Sequence, residues 1–225
     1  MNFKDDLNSE QYAAVTAPDG PTLVVAAAGT GKTRTLIYRL AWLVSERGIE
    51  PWEVLLLTFT NKAANEMLSR AEDLVKRQFN SGFSGTFHSF SNRILRQHAD
   101  RVGFGRDFSI LDADDSKKLV RNCADELGMD KKKFPKPDVL LSVFGVVSGR
   151  QSDLEDAIEE RFQYAEVDVE DVLKVHKLYT EKKRSSNSMD FDDLLIYAHQ
   201  LLDQHPDIRT LYQESFRHVL VDEYQ

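Results

Sequence analysis

Three short apolar runs break the usual alternation of hydrophobic and polar positions: Thr22–Val25, Val54–Leu57 and His218–Val221. Uninterrupted runs of this length, rich in β-branched residues and leucine, predict strands covered on both faces, as in a parallel sheet. Behind the first run, Leu36, Ile37, Leu40, Ala41 and Val44 recur at helical spacing, which predicts a helix over Thr33–Val44. Behind the second, Asn61 is placed to cap a helix bearing Ala63, Ala64, Met67 and Ala71. Strand and helix alternate at the start of the chain, so an α/β class with a doubly wound parallel sheet is expected.

The middle of the chain follows another pattern. From about Phe104 to Asn187 the periodicity predicts helices over Asp112–Leu127, stopping at Gly128, over Asp138–Ser148, stopping at Gly149, and over Val169–Lys183. No convincing strand pair occurs there, and the segment is expected to be an all-helical insertion. Its charge is blocky: Lys131, Lys132, Lys133 and Lys136 surround Phe134 and Pro135, whereas nine acids lie between Gln151 and Asp171 against Arg161 alone. The lysines could meet phosphate, although a short charge run is more often a solvated face.

Composition sharpens this picture by exclusion. With 225 residues, 41% of them apolar and 29% charged, the chain can bury a core, which removes disordered and collagen-like readings. A formal net charge of -8 excludes a basic footprint over the whole surface, so any contact with nucleic acid must be local. The single cysteine, Cys123, rules out a disulfide framework and fits a reducing, cytoplasmic setting. No apolar run approaches the ~18–20 residues of a membrane span, and the first residues lack the apolar core of a signal peptide.

Two motifs carry chemistry. Ala26-Ala27-Ala28-Gly29-Thr30-Gly31-Lys32-Thr33 stands directly after the first predicted strand and directly before a helix, and matches the phosphate-binding P-loop with Ala26 in place of its first glycine. Small residues let backbone N–H groups approach phosphates, and the helix N-terminus adds positive potential. Lys32 would bridge the terminal phosphates and the Thr33 hydroxyl would bind Mg²⁺. At the end of the third run, Asp222 would hold Mg²⁺ and Glu223 would orient and deprotonate the attacking water. The six histidines show no metal-binding spacing, and there is no nucleophile elbow, so a metal hydrolase or serine hydrolase finds no support.

Leu7–Val15, Ala26–Leu36, Leu57–Met67 (LTFTNKAANEM), Gly85–Phe90 (GTFHSF), Met189–Leu195 (MDFDDLL) and Val221–Gln225 (VDEYQ) together resemble the ordered motifs of the UvrD/Rep/PcrA-type superfamily 1 DNA helicases. The departure is Ala27, where that family usually has Gly. The resemblance implies a RecA-like P-loop NTPase sheet, incomplete at the C-terminus, with an inserted all-helical subdomain. Its expected segments are 1–103, the insertion 104–187, and a return segment 188–225 ending in the Walker B motif. It further implies ATP and Mg²⁺ as cofactors, held by Gln11, Ala28, Gly29, Thr30, Gly31, Lys32, Thr33 and Arg34, with Thr33 and Asp222 on the metal and Lys32 and Glu223 catalytic.

Single-stranded DNA would be gripped by Phe59, Thr60 and Asn61 and by Thr86, Phe87 and His88; an exposed aromatic can stack on any base, which makes such recognition sequence-tolerant. Asp190–Asp193 resemble the segment where the chain returns to the ATPase core, and Asp190 equally suits a helix N-cap. The implied activity is ATP-dependent 3′→5′ translocation and unwinding at single-strand/duplex junctions, in DNA repair or replication, with accessory proteins and a nucleoid association if bacterial. Alternatives are the helicase part of an AddA/RecB-type helicase-nuclease, or a nucleotide switch without unwinding. The family's second domain, with its arginine fingers, lies beyond Gln225, so the chain alone is expected to be nearly inert as an ATPase and unable to unwind. A strand at His218–Val221 without a later neighbour is expected to make it marginally stable or prone to self-association.

Overall fold

The computed structural model describes residues 2–27, 29–79, 82–130, 133–150, 154–162 and 167–224, with the backbone alone over 146–150. In chain order its helices are α1 (Phe3–Asp6), α2 (Ser9–Val15), α3 (Lys32–Ser45), α4 (Asn61–Val75), α5 (Phe87–His98), α6 (Ala113–Glu126), α7 (Pro137–Arg150), α8 (Leu154–Phe162), α9 (Val169–Ser185), α10 (Phe191–Gln204) and α11 (Pro206–Ser215). The strands are β1 (Val54–Thr58), β2 (Gly85–Thr86), β3 (Ser109–Ile110), β4 (Ser188–Met189) and β5 (His218–Val221).

Two compact units result, Met1–Phe90 with His205–Gln225, and Ser91–Gln204. The first is built on a parallel sheet of order β2-β1-β5. All five residues of β1 are buried, as a central strand with an unbroken apolar run requires. Leu56 joins Ile37, Leu40, Leu43 and Val44 of α3 and Met67 and Ala71 of α4 in one core, while Leu55 and Leu57 are buried on the opposite face. Phe3, Leu7 and Val15 close over Ala41, which fixes α1 and α2 against α3. Phe83, Phe90, Tyr212 and Phe216 form an aromatic cluster with ring centroids 5.4–6.3 Å apart that ties the end of the unit to its start.

The second unit is helical around Val120, Leu140, Phe144, Ile158, Val172, Val175 and Tyr179. Two of its helices carry side-chain caps: Asp112 accepts from the N–H groups of Asp114 and Asp115, and Asp168 from that of Glu170. The unit boundaries stand at 90/91 and 204/205, where 103/104 and 187/188 were expected. The difference arises because α10 packs on α7 and on the Ala99–Val102 turn, and because β3 pairs with β4.

Several local expectations need correcting. Thr22–Val25 is not a strand: residues 21–27 have no regular structure, and Leu23, Val24 and Val25 are 72%, 46% and 88% exposed. An apolar run becomes a strand only with a hydrogen-bonded neighbour, and β5 stands at the sheet edge with no strand on its other side among the described residues. Thr60, not Asn61, caps α4, its side chain accepting from the Ala63 N–H. The helix expected to stop at Gly149 includes it. The parallel pair β3/β4 was not anticipated; at two residues per strand it leaves no periodic signature.

Candidate functional site

Because β1, β2 and β5 are parallel, their carboxyl ends share one edge of the sheet, the edge where open α/β sheets bind ligands. That edge carries Phe59–Asn61 after β1, Phe87 and His88 after β2, and Asp222 and Glu223 after β5.

The loop before α3 is turned by two left-handed glycines, Gly29 (φ +79°) and Gly31 (φ +92°). Gly31 is the N-cap of α3, with no side-chain cap hydrogen bond, so the N–H groups of Lys32, Thr33 and Arg34 in its first turn have no intrahelical acceptor. Lys32 Nζ folds over the loop and donates to the carbonyls of Ala26 (3.1 Å) and Ala27 (3.5 Å). Thr30 donates its hydroxyl to the Ala27 carbonyl at 2.6 Å. Thr33 is exposed beside the loop, and Ala28 lies outside the described residues.

Gln11 arrives from α2 and bonds at both ends of its amide. Asn8 and Gln11 form a capping box, and Gln11 Nε2 donates to the Thr30 carbonyl at 3.1 Å. Arg34 donates to the Asp6 carbonyl at 2.7 Å and lies 5.2 Å above the Tyr38 ring. Across the sheet edge, the Asp222 N–H donates to the Leu57 carbonyl, which extends the ladder beyond β5. Burial pushes the Asp222 carboxyl up, Glu223 adds to this, and the Lys32 charge pulls it back. Glu223 is exposed with φ +56°, an uncommon conformation for a side chain of its size.

The second half of the edge is a small platform. Register pairs Thr58 with Thr86, which brings the two loops side by side. Phe59 is 84% exposed and Phe87 45%, whereas large apolar side chains at strand ends are ordinarily covered. Thr60 and Asn61 are exposed and His88 is half-buried. Asn61 Oδ1 accepts from the Thr86 N–H (3.2 Å) and from Ser89 Oγ (3.0 Å). Thr86 turns its hydroxyl inward, accepting the Ser89 N–H at 3.1 Å, and so serves the start of α5 rather than facing out.

The motif residues of both sets thus fall on one unit. Asn8, Gly85 and Ser89 were not singled out as site residues; an Asn three residues before Gln is a visible capping-box signal, whereas the Ser89 contact with Asn61 spans 28 residues and leaves no local trace.

Residues 7–225 match the family model of the UvrD/REP helicase N-terminal domain. The chain belongs to this family. Among its curated relatives, the ATP-dependent DNA helicase PcrA of Bacillus subtilis (strain 168) is 39% identical over 220 residues, 97% of this chain and 29% of that protein. The proteins of the same name from Staphylococcus epidermidis (strain RP62A) and Staphylococcus aureus (strain Mu50) are each 36% identical, over 98% and 97% of this chain and 30% of their own length. The chain spans about 30% of the length of these relatives. As a UvrD/REP-type domain it is a mixed helix/strand chain with a RecA-like parallel sheet. Among its described residues no helix is long and apolar enough to cross a membrane, and no group of three or more His, Cys, Asp or Glu is placed to hold a metal ion.

Proposed function

We propose that this chain is the ATP- and single-stranded-DNA-binding part of an ATP-dependent DNA helicase that translocates 3′→5′ in DNA repair or replication. The observations that carry the reading are a loop of small residues ending at the N-terminus of α3, and a strand edge that bears an acid after β5 and two exposed phenylalanines. The relatives bear the name of ATP-dependent DNA helicases, which favours this over a nucleotide switch.

In this reading Lys32 leaves its carbonyl partners to meet the terminal phosphates, and the N–H groups at the start of α3 receive the oxygens between them. Thr33 and Asp222 offer the hard oxygen donors that Mg²⁺ prefers, and would hold it. When bound, Mg²⁺ offsets phosphate charge and orients the terminal phosphoryl group. Glu223 takes the proton from the attacking water at its carboxylate. Gln11 sits where it can leave the Thr30 carbonyl for the adenine edge. Phe59 and Phe87 stack on bases while Thr60, Asn61 and His88 meet the backbone, and Asp190 acts structurally rather than in either site. The helical unit is an insertion within the ATPase domain.

The test is calorimetric titration of a Mg²⁺-bound, non-hydrolysable ATP analogue. Binding by this chain that Lys32→Ala abolishes is the expected result. Equal binding by both proteins would remove the phosphate loop from the site.

A further inference from the structure

We propose that Ser89, admitted by Gly85, is a positioning residue that holds Asn61 as a hydrogen-bond donor toward the phosphodiester of single-stranded DNA. The proposal rests on the reading of the Phe59/Phe87 face given above and adds to it the groups that set its chemistry.

The argument begins with one atom. Asn61 Oδ1 receives both the Thr86 N–H and the Ser89 hydroxyl. A backbone N–H can only donate, so the atom it meets is the amide oxygen, and two donors occupy both of its lone pairs. The Ser89 proton is directed as well: Thr86 Oγ1 accepts the Ser89 N–H and donates its own proton to Ser89 Oγ at 3.0 Å, so the Ser89 hydroxyl hydrogen is sent on to Asn61. The chain of bonds ends there and leaves the Asn61 Nδ2 group, on an exposed residue, without an acceptor among the described residues.

Gly85 makes the approach possible. Its φ is +154°, and a Cβ there would come within 2.9 Å of Asn61 Oδ1 and 3.5 Å of Ser89 Cβ. Any other residue would push the amide off the Thr86 N–H. Beside Phe59, an amide restricted to donating suits phosphate oxygens, which only accept, and is indifferent to base identity. Without Ser89 the amide is held by one bond, and a half-turn would present its oxygen to the phosphate.

Fluorescence anisotropy with a labelled oligo(dT), run on this chain and its variants, tests the assignment. Ser89→Ala is expected to weaken binding about five-fold, the effect of one net hydrogen bond, and Ser89→Thr to restore it. Added to Asn61→Ala, Ser89→Ala should cost nothing more, because it acts through Asn61. Asn61→Asp keeps the acceptor but exchanges the donor for a negative charge, so it should fold normally and bind more weakly than Asn61→Ala. Additive losses, or Asn61→Asp binding as well as Asn61→Ala, would overturn the assignment. Loss of binding in Phe59→Ala with no effect of Ser89→Ala would overturn it while sparing the platform itself. No binding by the unsubstituted chain would overturn both.

Discussion

Gly31 concentrates several demands on one position. It takes φ +92°, and a Cβ there would lie 2.8 Å from Gln11 Nε2, the atom bonded to the Thr30 carbonyl. A left-handed alanine costs about 1 kcal/mol, and displacing Gln11 adds to it. Gly31→Ala should therefore lower the melting temperature and weaken binding of the ATP analogue at least ten-fold. Pairing it with Gln11→Ala should recover part of the stability, since the collision partner is gone. Thermal melts of the two single variants and the double variant check this; a double variant no better than Gly31→Ala would show that backbone strain alone is responsible. The glycine-rich loop and the Asn8/Gln11 box are readable in the sequence, being local in spacing. The bond from Gln11 to Thr30 is not, because it depends on Phe3, Leu7 and Val15 packing α2 onto α3.

At the scale of elements, α9 and α10 are joined through a buried ionic cluster. Lys183 Nζ lies 2.6 Å from Asp190 Oδ2 and from Asp193 Oδ2, and Asp190 also accepts the Tyr179 hydroxyl at 2.7 Å. The two acids cap each other across the first turn of α10, Asp193 N–H to Asp190 Oδ1 and Asp190 N–H to Asp193 Oδ2. Burial works against the Lys183 charge, but Asp193 and Asp190 outweigh it and raise the ammonium above its ordinary value. Burial likewise opposes ionised Asp190, yet Lys183 and the hydrogen bonds from Asp193 N–H and Tyr179 hold it below the ordinary range, whereas burial and the neighbouring Asp190 leave Asp193 raised.

The signs set the pH window. The stabilisation carried by Lys183 is complete below the unfolded value of about 10.4 and fades as pH rises through the folded one. That of Asp190 is present above about 3.9 and fades as pH falls through its lower folded value, while ionised Asp193 weakens the fold above about 3.9 and is relieved in acid. Melting temperature should therefore fall as pH rises through the folded Lys183 value, whereas at the acid end the Asp190 and Asp193 contributions oppose one another.

Lys183→Met should destabilise the helical unit by about 3–5 kcal/mol by stranding two buried carboxylates, and Asp193→Asn by less, because the Lys183–Asp190 pair survives. Near-UV circular dichroism melts of both variants would decide; a silent Lys183→Met would mean the cluster is dispensable. The helix start at Asp112 was legible because a cap is a local rule. The cluster was legible only in part: Asp190 announced a cap, but Lys183 sits on the preceding helix as one lysine in a basic last turn.

On the scale of the whole molecule, the central strand and the strand before Asp222 were predictable because burial on both faces writes an unbroken apolar run. The same reasoning misplaced Thr22–Val25, where the run exists and the neighbour does not. Leu23, Val24 and Val25 are exposed apolar residues, and so is 53%-exposed Val219 on the edge strand, whose outer backbone has no partner strand among the described residues. Sedimentation velocity should show concentration-dependent association, reduced by Val25→Lys and Leu23→Lys. A monomer at all concentrations would show that the exposed run is harmless.

Lys32 has a consequence of another kind. Its ammonium already has ligands, the carbonyls of Ala26 and Ala27, and these backbone acceptors are competitors that no side-chain substitution at either alanine can delete. On the proposed reading, an arriving phosphate would not fill a waiting hole but draw the lysine off those carbonyls, and its observed affinity would be reduced according to the fraction of time the lysine spends on them. Nucleotide binding would then be an exchange reaction, with a heat smaller than the charges alone suggest.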